Sequence, residues 1–224
     1  MDDLDRFFSP ADLEAVEAAV QEAEARTSGE IVPYVVAASD EYSTAAWKGA
    51  AFGAFLGPLI AAAAYHYGEV WATHVLLWIT LPAAAGGALG YLLTELIPAL
   101  RRRLTGDEVL EMRSRLRAEA AFLETEVFRT RERTGILLFL SLFERRVVVL
   151  GDVGIHQKVE VGEWDGIVRT AVEGIRSRRP AEALIAAIRE CGALLERHGV
   201  ERRADDRNEL SNELRRGRRE GEGQ

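Results

Sequence analysis

Residues 135–156 read GILLFLSLFERRVVVLGDVGIH, and this stretch decides the fold class. It holds two short apolar runs, residues 136–142 and 146–150, with a charged turn between them. Continuous apolar runs of this length are typical of strands that are covered on both faces. We therefore predict a hairpin of two buried strands. The second strand ends at a carboxylate, Asp152, with a glycine close by on each side.

Helices are predicted before and after this hairpin. The first follows Ser9, which can cap it, and Asp12 in its first turn complements the helix dipole. A second helix is predicted from residue 107 to about residue 131, with its buried side formed by Leu110, Arg113, Leu116, Ala120 and Leu123. Two more helices are predicted at about residues 163–178 and 180–199.

One further strand is predicted near the start of the chain. Residues 30–38, EIVPYVVAA, are rich in β-branched side chains but contain Pro33. Because proline cannot donate to a ladder, we expect this strand at an edge of the sheet or bulged at Pro33. The order of helices and strands along the chain then predicts the α/β class, with a mixed sheet flanked by helices.

A nearly uncharged region lies between residues 49 and 100, where Glu69 and Glu95 are the only charged residues. Residues 49–68 and 70–94 are each long enough to cross a hydrocarbon core of roughly 30 Å, which takes ~20 apolar residues. We predict a transmembrane helical hairpin, and the alternative is an alanine-rich buried hairpin in a soluble protein. Aromatic residues typical of membrane interfaces lie near the ends of the runs: Trp47, Tyr65, Trp71 and Tyr91.

The charges beside the hairpin predict its orientation. Lys48 precedes the first run and Arg101-Arg102-Arg103 follow the second, while the connecting loop has neither Lys nor Arg. The positive-inside rule therefore predicts a two-pass protein of a bacterial inner membrane, with both termini and the polar part in the cytoplasm. The acidic N-terminus shows no apolar stretch typical of a signal peptide, and the single Cys191 fits a reducing compartment.

Glycines recur every four residues in both runs, at Gly49, Gly53 and Gly57 and again at Gly86 and Gly90. Such faces let helix backbones approach closely in a membrane. We favour packing of the two spans against each other, because a hairpin supplies its own partner. Homodimerisation through these glycine-rich faces is the alternative.

A set of short segments resembles the TPM domain family, and in particular a membrane-bound bacterial branch with two spans inserted after the first strand. The resemblance extends from Phe8 to Leu214. The segments that carry it are SGEIV at 28–32, Asp40 and Tyr42, RTGIL at 133–137, LFERR at 142–146, GDVGI at 151–155 and DRNEL at 206–210.

The resemblance implies a helix-flanked sheet sandwich made from residues 8–44 and 105–199, with the hairpin at 46–100 and a polar tail at 200–224. Family members include thylakoid-lumen proteins linked to photosystem II repair, with reported acid phosphatase activity, and an auxiliary protein of acetylcholine receptors. Some members bind divalent cations, notably calcium, at one end of the sheet. Such members carry a further acid at the next helix start, for which Glu163 or Asp165 can substitute here.

The candidate ligands of a cation are carboxylates that follow strands. Asp40 and Glu41 follow the first strand and Asp152 follows the third, so we expect them to share a crevice at the strand ends, with Glu163 nearby. Oxygen ligands of this kind suit Ca²⁺ or Mg²⁺. The alternatives are that Asp152 makes a turn in which Gly154 has a positive φ, and that Asp40 is an ordinary loop acid.

Two functions follow from these predictions. The first is a membrane-anchored binding or accessory module for a membrane or cytoplasmic protein partner, with or without a divalent cation. The second is a metal-dependent phosphatase, which needs a positive clamp on the phosphate, and Arg133 is the nearest candidate. The charge pattern offers no basic patch for nucleic acid. In the tail, Asp205, Asp206 and Glu209 could be ligands, but we favour the cap of a short helix at residues 207–216.

Overall fold

The computed structural model describes residues 3–67, 74–200 and 209–217. The chain forms two compact units, which are described separately below. One is an α/β unit made of Met1–Asp40 and Glu111–Gln224, and the other is a helical unit, Glu41–Leu110. The helical unit is therefore inserted into the sequence of the α/β unit.

A mixed four-stranded sheet forms the centre of the α/β unit. The strands are β1 Glu30–Val36, β2 Gly135–Ser141, β3 Arg146–Gly151 and β4 Arg215–Gly217. They lie in the order β3-β2-β1-β4, in which β1 runs parallel to both β2 and β4, whereas β3 is antiparallel to β2. These pairings confirm the predicted mixed sheet and the predicted β2–β3 hairpin.

Three helices cover one face of the sheet and form the larger core. Their buried apolar side chains pack with Ile31 and Val35 of β1 and with Ile136 and Leu138 of β2. The predicted cap of the first helix is confirmed, because Ser9 and Asp12 each accept a hydrogen bond from the other's backbone N–H. The helices are α1 Pro10–Glu24, α7 Trp164–Arg176 and α8 Pro180–Arg197, and the single turn α6 Val153–His156 follows β3.

The other face of the sheet packs against α5 Asp107–Glu124. The predicted buried side of this helix is confirmed at Leu110, which is 3% exposed, but is wrong further along. Leu116 and Leu123 are 50% and 65% exposed. Small side chains, Ala118 and Ala121, contact the sheet instead, which lets the helix lie close to it. The helix is also shorter than predicted, because Glu126 has a φ of 54° and ends the helical run.

β1 lies inside the sheet rather than at the expected edge, and the pairing around Pro33 explains why. Glu30 N–H donates to Thr134 O on the β2 side, so alternation along the strand turns the nitrogen of Pro33 to the opposite side. There β4 pairs only with Tyr34, Val35 and Val36. The missing N–H of Pro33 therefore falls just outside the β4 ladder.

Residues 209–217 contain no helical turn and end in β4, so the helix predicted at residues 207–216 is not found in its described part. The buried carboxylate of Glu30 accepts the backbone N–H groups of Glu209 and Leu210 at 3.1 and 3.3 Å. Arg216 also pairs with Asp5 at 2.7 Å. These contacts fasten the tail beside β1.

The helical unit contains a hairpin of two helices, α2 Ser43–Tyr67 and α3 Val75–Leu96, followed by α4 Pro98–Thr105. Both hairpin helices are long and apolar enough to cross a membrane. Their glycines face each other: a Cβ on Gly53 would overlap the carbonyl oxygen of Gly86, and one on Gly49 would overlap that of Gly90. The glycine faces thus pack within the hairpin, and homodimerisation through them stays a prediction.

Candidate functional site

The two strand ends that were expected to share a crevice lie at opposite ends of the sheet. Asp40 follows the carboxyl end of β1, next to the carboxyl end of the parallel strand β2. β3 runs back along β2, and Asp152 N–H donates to Gly135 O at the start of β2, at 2.9 Å. Seven residues of strand separate these ends by roughly 20 Å. One cation cannot bind both Asp40 and Asp152.

Asp152 is held by its own neighbours. Its carboxylate accepts the N–H of Val153 at 2.7 Å and so caps α6. Arg133 approaches the same carboxylate with two nitrogens, Nε to Oδ2 at 2.7 Å and Nη2 to Oδ1 at 3.0 Å. The Asp152 side chain is 3% exposed, so this two-point ion pair is largely shielded on the acid's side.

Gly154, two residues after Asp152, must be a glycine because a side chain would not fit there, and not because its backbone conformation is unusual. Gly154 lies in α6, and among the described glycines only Gly106 and Gly199 have a positive φ. A Cβ on Gly154 would lie 2.5 Å from Glu132 O and 2.7 Å from Arg133 O. The prediction of a positive φ at Gly154 was therefore wrong. Asp152 has a structural role as predicted, but as the cap of α6.

The remaining predicted ligands also have structural partners. The carboxylate of Glu163 lies 2.8 Å from Nε2 of His198, and this hydrogen bond lowers the pKa of Glu163 below its usual 4.5. Glu41 belongs to the helical unit, where its backbone carbonyl accepts a hydrogen bond from Arg101. Asp40 pairs with Arg113 at 3.0 Å.

Sequence reasoning missed a buried carboxylate, Glu144, in the β2–β3 turn. Its Oε1 accepts the N–H of Ser39 at 2.8 Å, and its Oε2 accepts the hydroxyl of Ser141. The two serine hydroxyls lie 2.9 Å apart. We name Ser39, Ser141 and Glu144 the Glu144 cluster. The segment LFERR was noted, but nothing in it showed that the acid turns inward.

The Glu144 cluster lies where the carboxyl ends of the parallel strands β1 and β2 meet. Phe143 N–H donates to Ala37 O at 2.9 Å, which continues the ladder past the ends of both strands. This position in an α/β sheet is the usual place for ligands. The cluster connects Ser39, which follows β1, to the β2–β3 turn. It therefore fixes these two segments relative to each other at this end of the sheet.

A second polar cluster lies under α5. Arg117 donates to the hydroxyl of Tyr34 at 2.7 Å and also pairs with Glu124 at 3.2 Å. Burial raises the pKa of Tyr34 above its usual 10.0, although the Arg117 charge acts in the opposite direction. These contacts satisfy a buried guanidinium, which explains why an arginine occupies the sheet-facing side of the helix.

No group of three or more His, Cys, Asp or Glu side chains that could hold a metal ion occurs within residues 3–67, 74–200 and 209–217. The predicted ligands Asp205 and Asp206 lie outside the described residues. Glu209 accepts the N–H of Arg131 at 2.8 Å. Arg133 does reach Asp152, as the phosphatase prediction required, but it does so as the ion-pair partner of that acid.

A scan against models of known protein families gives no match, and neither does a search of curated proteins. Among solved structures the chain is similar to the NMR structure of BA42 protein from the psychrophilic bacterium Bizionia argentinensis sp. nov.. The TM-score is 0.56 at 16% sequence identity, and the match covers 94% of this chain and 96% of that one. At this identity the likeness shows a shared fold and nothing beyond it.

Proposed function

We propose that this chain is a membrane-anchored binding or accessory protein, in which the hairpin of α2 and α3 inserts into a lipid bilayer and the α/β unit binds a protein partner. The resemblance to the TPM domain family is part of this proposal. The helical unit supports the membrane part of the proposal, and the α/β unit separately supports the binding part.

Membrane insertion is supported by the packing of the hairpin, which is the reverse of that in a soluble protein. Its inside is made of glycines in backbone contact, while bulky apolar side chains point outward, with Phe52 and Phe55 both more than two-thirds exposed. In water this arrangement would leave a large apolar surface uncovered, which soluble monomers rarely do. In a bilayer it is favourable, because lipid covers the bulky side chains and small residues allow close helix contact.

The charges at the hairpin ends support a cytoplasmic α/β unit. Lys48 lies at the start of α2, and Arg101, Arg102 and Arg103 lie in α4, directly after α3. Lys48 donates to Leu104 O at 3.0 Å, so the basic residues before and after the hairpin are at the same end of it. We propose a two-pass topology in a bacterial inner membrane with this end inside.

The structural roles of the acidic side chains favour a binding function over catalysis. Asp152, Asp40, Glu163 and Glu144 each have an ion-pair or hydrogen-bond partner that orders a cap, a turn or a strand end. A divalent cation at Asp152 would first have to displace Arg133. Cation binding by Ca²⁺ or Mg²⁺ and phosphatase activity stay predictions, which no contact in the described residues favours.

Labelling of introduced cysteines tests the anchoring and the topology. The two variants are Tyr67→Cys, at the end of α2, and Leu123→Cys, on the exposed side of α5. In intact bacterial spheroplasts a membrane-impermeant maleimide should label Tyr67→Cys only, and both variants should react after lysis. Recovery of the chain in the soluble fraction, or labelling of Leu123→Cys in intact spheroplasts, would overturn the proposal.

A further inference from the structure

A groove runs between α2 and α3, beside the line along which their glycines meet. It is lined by alanines and one glycine, among them Ala54, Ala84 and Gly87, and Trp47 and Tyr91 lie at one end of it. The rings of this aromatic pair meet edge to face, with their centroids 5.7 Å apart. The groove has a volume of about 710 Å³ and belongs wholly to the helical unit. A volume of this size is typical of a ligand site.

The length of the groove matches one leaflet of a bilayer. Its lining runs from Trp47 to Ala54 on α2 and from Ala83 to Tyr91 on α3. At about 1.5 Å per residue, these stretches are roughly 10 and 12 Å long. One leaflet contributes roughly 15 Å to a hydrocarbon core of ~30 Å. A transmembrane helix of a partner would extend through both leaflets, whereas the acyl chain of a lipid lies within one. The groove therefore fits an acyl chain better than a helix.

The end of the groove at Trp47 lies beside basic residues. Lys48 follows Trp47, and its Nζ donates to Leu104 O at 3.0 Å, which holds α4 next to this end of α2. Arg103, directly before Leu104, is exposed and has no hydrogen-bond or ion-pair partner for its side chain within residues 3–67, 74–200 and 209–217. An unpaired guanidinium at a membrane surface attracts the phosphate of an anionic lipid.

We propose that this groove binds an anionic phospholipid of the cytoplasmic leaflet, with an acyl chain between α2 and α3 and the phosphate at Arg103. Trp47 and Tyr91 then lie where the acyl chain meets the headgroup, which is the usual depth of such side chains in a membrane. Lipid covers the rest of the hairpin without selection, whereas this groove selects by charge. The inference rests on the proposed membrane insertion of the hairpin and adds a ligand to it.

Quenching of tryptophan fluorescence by brominated lipids tests the proposal. The full chain has four tryptophans, and replacing all except Trp47 by phenylalanine leaves one emitter. This chain is reconstituted into phosphatidylcholine vesicles that contain the same small fraction of either brominated phosphatidylglycerol or brominated phosphatidylcholine. Because bromine quenches only at short range, we expect several-fold stronger quenching by the anionic lipid.

Two neighbouring alanines of α3 provide a matched pair of variants. Ala84 and Ala85 are both exposed, but only Ala84 lines the groove. Ala84→Phe should fill the groove and abolish the preference for phosphatidylglycerol, whereas Ala85→Phe should keep it. Arg103→Gln should also abolish the preference, although it leaves the groove open. Equal behaviour of the two phenylalanine variants, or an unchanged preference in Arg103→Gln, would overturn the proposal.

Flotation of the same vesicles separates failure of this inference from failure of the proposed function. A chain that floats with the vesicles, but in which both lipids quench Trp47 equally, would be inserted and would not select an anionic lipid. A chain that floats and is quenched by neither lipid would have its groove covered by protein, such as a second copy. Either result overturns the inference alone. A chain that does not float would overturn both proposals.

Discussion

Asp152 and Arg133 hold each other through two contacts, and they tie the end of β3 to the segment that precedes β2. Because Asp152 also caps α6, Asp152→Ala removes a cap and leaves Arg133 without its acid. We expect the free energy of unfolding to fall by about 1–3 kcal/mol, with or without Ca²⁺. Urea unfolding of both proteins, with and without Ca²⁺ and Mg²⁺, measures this.

The control for Asp152→Ala is Arg129→Ala, which removes an exposed ion pair with Glu126. That change should cost clearly less than Asp152→Ala, because solvent screens both partners of this exposed pair. A cation that stabilises the wild type but not Asp152→Ala would instead show that Asp152 is a ligand and would restore the cation site.

The carboxylate of Glu144 accepts two hydrogen bonds in a buried place, and a glutamine amide cannot accept at both ends. We expect Glu144→Gln to destabilise the chain by about 1 kcal/mol, because the charge-assisted hydrogen bond from Ser141 is replaced by a neutral one in which the amide donates to the serine hydroxyl. Thermal unfolding followed by circular dichroism gives the comparison. Glu182→Gln, on the exposed side of α8, should change stability by less than about 0.5 kcal/mol. Equal melting of both variants would contradict a structural role for the Glu144 cluster.

The glycine contacts of the hairpin predict a difference between two alanine substitutions. Gly53→Ala places a methyl group against the backbone of Gly86, whereas a Cβ on Gly87 would lie 3.4 Å from that of Ala54, at ordinary contact distance. Gly53→Ala should lower stability in detergent by about 1–3 kcal/mol, and Gly87→Ala should be close to neutral. Thermal denaturation monitored by size-exclusion chromatography distinguishes them. Identical behaviour would mean that α2 and α3 do not pack through Gly53.

Cys191 is fully buried, and burial raises the pKa of its thiol to about 12, compared with 9.0 for the unperturbed group. The native thiol should therefore stay protonated and unreactive towards maleimide at pH 8, and should react only after unfolding. Rapid labelling of the native chain would show that the helix α8 opens locally.

The same pKa gives a pH dependence of stability. The unfolded thiol loses its proton above pH 9 while the folded one keeps it, so this contribution is complete below pH 9 and falls as the pH rises towards 12. The slope from this group is up to about 1.4 kcal/mol per pH unit. Cys191→Ala should have a shallower fall over that range, and equal slopes would contradict the raised pKa.

Much of the fold could be predicted because the residues concerned act locally. The cap at Ser9, the β2–β3 hairpin and the apolar helices of the hairpin depend on neighbours in sequence. β4 could not be predicted, because Arg215-Arg216-Gly217 has no strand character of its own and is held by pairing with β1. The buried side of α5 was misjudged because Leu116 and Leu123 look more like core than Ala118 does.

The error at the candidate site had a topological cause. The predicted crevice needed Asp40 and Asp152 at one end of the sheet, but a β2–β3 hairpin returns the end of β3 to the start of β2. The predicted hairpin already excluded the shared crevice. Glu144 could not have been found in the same way, since its burial depends on Ser39, which is distant in sequence.

The parallel pairing of β1 with β2 has a consequence during synthesis on the ribosome. β1 is made before the hairpin, but β2 and β4 are made after it, so β1 has no strand to pair with until roughly a hundred further residues have been added. At ~5–20 residues per second this delay lasts about 5–20 s. An apolar strand must therefore wait, unpaired, until β2 and β4 have been made, and during that interval it is open to aggregation.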